Sequence, residues 1–271
     1  MKKKKVGNNN MIRKSTRKWA PLFLWPMFGA FCIGFVWPFL QGLFLSFTKF
    51  KTTSKWEWVG LANYGKAFLD ESFRYSFGYT AVYAIVSLIL INVLAFVIAY
   101  ALTQKIKGAN LFRTVFFMPN LIGGIVLGYI WSMIFDGILS NYGKSILTDS
   151  TWGFWGLIIL MCWQQIGYMM IIYVAGLQNV PPDLMEAASI DGASSWQTLW
   201  KVKLPMVMPS ITICLFLTLS SAFKVYDLNL SLTNGGPYDT TKMAVMSIMD
   251  KAFALHRYGE GQANAIAFFL F

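Results

Sequence analysis

The chain has 271 residues, 56% of them hydrophobic and 17% aromatic, with only 13% charged and a mean hydropathy of +0.51. That balance excludes a solvated globular domain and indicates an integral membrane protein. The formal charge of +11 does not indicate a nucleic-acid binder, because eight basic residues crowd into an aromatic-free stretch ahead of Trp19.

That stretch, residues 1–18, carries Lys2, Lys3, Lys4, Lys5, Arg13, Lys14, Arg17 and Lys18 without an acid. It reads as a basic cytosolic tail held at anionic lipid headgroups. An uncharged run from Ala20 to Phe47 is long enough to span a bilayer, and Pro26 and Pro38 predict a kinked or tilted helix. Residues 49–76 are polar. Runs near Phe77–Thr103, Thr114–Phe135, Trp152–Leu177 and Met206–Phe223 lack Asp, Glu, Lys and Arg and predict four further spans. A sixth run starts at Gln262 and reaches only Phe271, about half a crossing, so the recorded chain is expected to stop inside a helix. The expected fold class is all-α, a polytopic membrane bundle of about six spans with its N-terminus in the cytosol. On that orientation the cytosolic segments hold 13 Lys and Arg against 3 acids, and the external ones 10 against 9, as the positive-inside rule requires. Cys32, Cys162 and Cys214 each sit inside an apolar run and read as small buried hydrophobes.

Residues 178–205 form the one long polar insertion with the marks of a compact unit. Pro181 and Pro182 suit the first turn of a helix, with Asp183 and Glu186 near its positive end. The step Asp191-Gly192 permits a backbone turn with positive φ, and Ser194 with Gln197 fits a capping box that starts a second helix. Trp196, Leu199 and Trp200 give the second helix an apolar face, whereas Ala187 and Ala188 leave the first nearly flat. Such a hairpin suits docking. In the spacing of Glu186, Ala187, Ala188, Gly192, Leu204 and Pro205, the segment closely resembles the EAA loop of permease subunits in binding-protein-dependent ABC importers of the maltose-permease type.

Two other stretches agree with that resemblance. Trp56-Glu-Trp-Val-Gly-Leu-Ala-Asn-Tyr64 resembles the W-x-x-V-G-L-x-N-Y segment of sugar permeases, and Tyr226-Asp-Leu to Gly235-Gly-Pro237 resembles their F-D-x-x-x-x-L-T-x-G-G-P segment. The resemblance implies a permease domain over residues 19–271 in the bacterial plasma membrane. It implies that Glu186, Ala187, Ala188, Asp191, Gly192, Leu204 and Pro205 couple to a separate ATPase. It further implies a second permease, two ATPase subunits and an external solute-binding protein, with a sugar as cargo and membrane lipids around the bundle. Residues 226–261 are expected to be external, with Ala244, Ile248, Ala252 and Phe253 marking an amphipathic helix that faces the binding protein or packs on its own bundle.

Polar side chains within spans are candidates for the cargo path or for glue between helices. Gln164, Gln165 and Tyr168 lie on the fourth span and Thr218, Ser220 and Ser221 on the fifth. The resemblance implies a mid-membrane site built mainly from these two helices, and amides, hydroxyls and an aromatic face suit a neutral sugar. Glycerol phosphate or another polar solute stays open as cargo, and a membrane scaffold that recruits a signalling partner is the competing class. Gly124-x-x-x-Gly128 predicts a close helix contact.

Catalysis is not expected. The frame Gly60-x-x-x-x-Gly65-Lys66 is followed by Ala67, which lacks the hydroxyl that would hold magnesium. His256 is the single histidine, so no catalytic or metal site is expected. No cofactor is expected in this chain; ATP and magnesium belong to partner ATPases, and nucleic acid is not a partner.

Overall fold

The structure is a computed structural model, which describes residues 19–52, 55–104 and 106–270; the basic tail and Phe271 lie outside them. In chain order it contains α1 (Trp19–Ser46), a hairpin of β1 (Thr48–Thr52) and β2 (Lys55–Trp58), α2 (Ala62–Leu69), α3 (Glu71–Leu102), α4 (Ala109–Phe117) and α5 (Gly124–Leu139). Then follow α6 (Ser150–Gln178), α7 (Pro182–Ile190), α8 (Ser195–Phe223), α9 (Asp227–Leu232), α10 (Ala244–Met249) and α11 (Tyr258–Leu270). Among the described residues five helices are long and apolar enough to cross a membrane: α1, α3, α5 with its extension to Tyr142, α6 and α8.

Two compact units share the chain. In the unit made by residues up to Ala67 and from Lys251 onward, α1 widens into a π-turn over Cys32–Val36, and Trp37 N–H donates to the Cys32 carbonyl. Pro38 is the cause: it has no N–H for the carbonyl four residues back, and its ring crowds that group. At the far end of α1 the fully buried Asn63 donates to the carbonyls of Ser46 and Thr48, both at 2.9 Å, and the Tyr64 hydroxyl meets Ser46 Oγ at 2.7 Å. Trp58 stacks on Phe47 and Trp56 meets Phe44 edge to face, so the hairpin folds its aromatic residues back onto the helix end. Thus the Trp56–Tyr64 motif fastens α1's end.

The second unit is built on α3, α6 and α8. Their buried faces mix small residues such as Ala84, Ala95, Ala99 and Ala222 with Tyr83, Met169 and Met170, which lets the backbones approach closely. One polar staple crosses all three helices. Tyr173 OH donates to Asn92 Oδ1 at 2.7 Å, and Asn92 Nδ2 donates to Thr218 Oγ1 at 3.2 Å and to the Leu88 carbonyl at 2.8 Å. Gly128 is expected to allow a close contact and does: a Cβ there would collide with the Ser231 hydroxyl of α9, and one at Gly124 would touch Asp227.

Several expectations are corrected. The third run is not one helix, because Pro119 and the extended Gly123 separate α4 from a span that begins at Gly124. Helix α3 starts at Glu71, six residues ahead of its charge-free run, where Asp70 caps the Ser72 N–H. Helix α8 runs without interruption from the cytosolic-type loop into the span, and α11 starts at Tyr258 rather than Gln262. Residues 226–261 contain the expected turn, flanked by the short helices α9 and α10. Asp227–Leu232 packs on α5 and α6, and the turn after it is held by fully buried Asn229, which binds Thr233 Oγ1, the Thr241 carbonyl and the Met243 N–H. In the expected stripe Ala244 is buried but Phe253 is 60% exposed, because α10 is followed by a π-turn that rotates the later positions.

Asn229→Leu removes the partners of the buried Thr241 carbonyl and Met243 N–H, at roughly 1–3 kcal/mol for each orphaned group. The melting temperature of the detergent-purified protein is expected to fall clearly, and Thr233→Val to lower it less. Lys242 gives a second expectation. Burial opposes its charge, yet hydrogen bonds to Asp250 at 2.8 Å and Asp239 at 2.9 Å outweigh that and hold its pKa above the usual value. The bridge's stabilisation is complete below the unfolded pKa, about 10.5, and is lost as pH rises through the higher folded value. Protease cleavage within 233–250 is expected to accelerate only in that alkaline range, and Lys242→Met to be cleaved fast throughout.

Candidate functional site

The hairpin of α7 and the start of α8 is fully specified by its caps. Pro181 is the N-cap, Pro182 is the first helical residue and Asp183 lies in the first turn. At the other end the Ala193 N–H donates to the Ala188 carbonyl at 2.9 Å and the Gly192 N–H to the Ser189 carbonyl at 3.1 Å. This pair of bonds is a Schellman closure, which needs a left-handed residue after the cap, and Gly192 supplies it at φ +72°. Ser194 then opens α8 with the complete capping box: its Oγ accepts from Gln197 N–H and Gln197 Oε1 accepts from Ser194 N–H. Ala188 is buried, whereas Glu186, Ala187 and Asp191 are exposed, as are Ile190 and the edge-to-face pair Trp196 and Trp200.

Helix α8 carries a second π-turn over Leu199–Lys203, where the Leu204 N–H reaches back to the Leu199 carbonyl. Pro205, which follows at once, repeats the arrangement seen before Pro38 and for the same steric reason. Beside the turn, Lys203 Nζ lies 4.9 Å from the centre of the Tyr100 ring on α3, a cation–π contact that fastens the hairpin's base to that helix.

A polar cavity of about 240 Å³ opens between α6, the end of α8, α9 and the first residue of α5. Its polar walls are Gln164, Gln165, Ser221, Lys224, Tyr226 and Asp227. Gln164 Nε2 donates to the Ile122 carbonyl at 3.4 Å, inside the break between α4 and α5. Non-helical backbone is tolerated at membrane depth only where protein buries it or a watery cavity borders it.

The family described as "Binding-protein-dependent transport system inner membrane component" matches residues 107–271, which include the hairpin and every polar wall of the cavity. The chain belongs to this family. It is 39% identical over 260 residues to AmyD of Thermoanaerobacterium thermosulfurigenes, named a probable starch degradation products transport system permease protein, covering 93% of this chain and 89% of that one. It is 34% identical over 271 residues to the multiple sugar-binding transport system permease protein MsmF of Streptococcus mutans, covering 96% and 93%. In fold it is similar to a chain of a bacterial ABC transporter involved in alginate import, with a TM-score of 0.80 and 22% identity over 94% of this chain and 92% of that one. The chain is therefore an inner-membrane permease of an ABC importer.

The six expected path residues of the permease do not share one place. Gln164, Gln165 and Ser221 meet at the cavity. Thr218 is fully buried and engaged by Asn92, so it serves as glue between helices, and Ser220 is half-buried off the cavity wall. Tyr168 lies beside Phe117 of α4 with ring centres 6.5 Å apart. Lys224, Tyr226 and Asp227 were missed because they follow the last residue of the apolar run. The available signal was Pro119 with Gly123-Gly124, a helix breaker inside an apolar stretch, which marks discontinuous helices near binding sites. The positions expected to couple fall on the hairpin or directly after its π-turn.

Gly192→Val places a β-branched side chain where φ is +72°, at about 1–2 kcal/mol of strain. Limited proteolysis between Ile190 and Ser194 is expected to quicken in this variant, while Gly192→Asn, which tolerates that region, stays near wild type.

Proposed function

We propose that this permease conducts a sugar or small oligosaccharide through the cavity at Gln164, Gln165 and Ser221, driven by partner ATPases seated on the 178–205 hairpin. The observation that carries the reading is the cavity itself: amides, a hydroxyl and an aromatic phenol collect beside a break in a spanning segment, between the two helices that the hairpin joins. The sugar-named relatives support the cargo class. The second permease, two ATPases with ATP and magnesium, and an external solute-binding protein complete the machine, and this chain holds no cofactor of its own.

In the mechanism, ATP-driven closure of the ATPases moves the hairpin as a lever and tilts α6 and α8, which changes the side to which the cavity opens. The driving term is the ATPase's different contact with the two states. The N-terminus and the hairpin face the cytosol, as the charge bias indicates. One observation favours a second cargo: Lys224 adds a cation to the wall, which suits a phosphorylated solute such as glycerol phosphate, although Asp227 opposes it.

The test uses the assembled importer with its binding protein in vesicles. Ser221→Leu, which fills the cavity, is expected to lower transport of a neutral oligosaccharide roughly tenfold with the ATPase still bound. Gly192→Val is expected to lower transport while the protein inserts normally. Full transport in Ser221→Leu and Gln165→Leu refutes the path. Lys224→Gln raising KM for glycerol phosphate alone identifies the second cargo.

A further inference from the structure

A different cleft, of about 560 Å³, lies at the end of α3 opposite Tyr100, where the first turns of α3 and α6 approach Thr240. Its chemistry is graded along its length. Arg74, Tyr75, Gly78, Tyr79 and Val82 of α3 line it together with Ser150, Thr151 and Phe154 of α6. Arg74, Gly78 and Val82 share one helical face at i, i+4 and i+8, so the gradient from cation to apolar side chain takes about 12 Å. Gly78 leaves the middle open: a Cβ there meets nothing within 4 Å. Val82 begins an exposed stripe that continues through Ile85, Ile89 and Val93, the kind of surface a membrane protein offers to acyl chains.

Two polar groups in the cleft are uncommitted. Arg74 forms no ion pair among the described residues, and the Tyr79 hydroxyl is shielded from solvent without a hydrogen-bond partner. The Tyr75 hydroxyl is already used, donating to the Thr240 carbonyl at 2.9 Å. We propose that this cleft binds one phospholipid, its phosphate on Arg74 and one acyl chain across Gly78 and Val82. The charge nearby selects the headgroup. The exposed Glu71, one turn before Arg74 on the same helix, opposes a net-negative headgroup and suits an ammonium-bearing one such as phosphatidylethanolamine.

The test is native mass spectrometry of the assembled importer, purified in mild detergent from vesicles of phosphatidylethanolamine and phosphatidylglycerol in equal parts. The wild type is expected to retain one phosphatidylethanolamine assignable to this chain. Gly78→Leu, for which there is room, fills the cleft and is expected to lower retention roughly fivefold with an unchanged melting temperature, as is Arg74→Gln. Equal retention in Gly78→Leu and wild type, preference for phosphatidylglycerol, or cross-linking of Gly78→Cys to the second permease chain would each overturn the proposal. The readout is independent of transport, so it stands apart from the cargo reading.

Discussion

Within a bilayer there is no water to take up a backbone N–H or C=O that the helix leaves unpaired, and this constraint governs every irregular feature of the permease. Pro38 and Pro205 each remove one donor from a spanning helix. In both places the turn ahead of the proline widens, so that the N–H of Trp37 or Leu204 closes a longer loop to Cys32 or Leu199. Pro119 has a different outcome. There the chain leaves the helix altogether, and Gln164 supplies a side-chain donor to the Ile122 carbonyl at the edge of the polar cavity.

The same constraint explains the polar staples. Asn92 satisfies both of its amide atoms from three spanning helices, and Asn229 satisfies a whole turn from a single side chain. Asn92 joins α3, α6 and α8, and the Lys203–Tyr100 contact joins α8 to α3 a second time, so in the proposed mechanism a push on the hairpin acts on three helices rather than two. In the proposed mechanism the lever therefore carries a packed block with it. The bend of the hairpin is closed locally by the Schellman bonds and the capping box, and its base is fastened to α3 by Lys203.

Motifs built from local interactions were legible in the sequence. The capping box at Ser194, the turn at Gly192 and the close contact at Gly128 depend on residues a few positions apart or on the mere lack of a side chain. The apolar runs marked both ends of α1 and α6 to within two residues, since lipid burial acts on every residue of a run. Boundaries were less legible. Helix α3 begins earlier because its Asp70 cap outweighs the polarity of Arg74 and Tyr75, and the run from Thr114 conceals a break because hydropathy does not register a missing N–H.

Composition, charge placement and short-range motifs by themselves determined a helical membrane protein with a capped polar hairpin, and the resemblance of that hairpin marked a permease, because each of those signals is written in residues that are neighbours in sequence. Which polar residues face the cavity, and which are glue, was decided by the tertiary structure alone. Thr218 and Ser221 lie three residues apart on one helix, yet the first is held by Asn92, 126 positions away, and the second borders the cavity with Gln164 and Gln165. Contacts between residues so distant in the chain depend on how three helices pack, and no periodicity within any one of them encodes that arrangement.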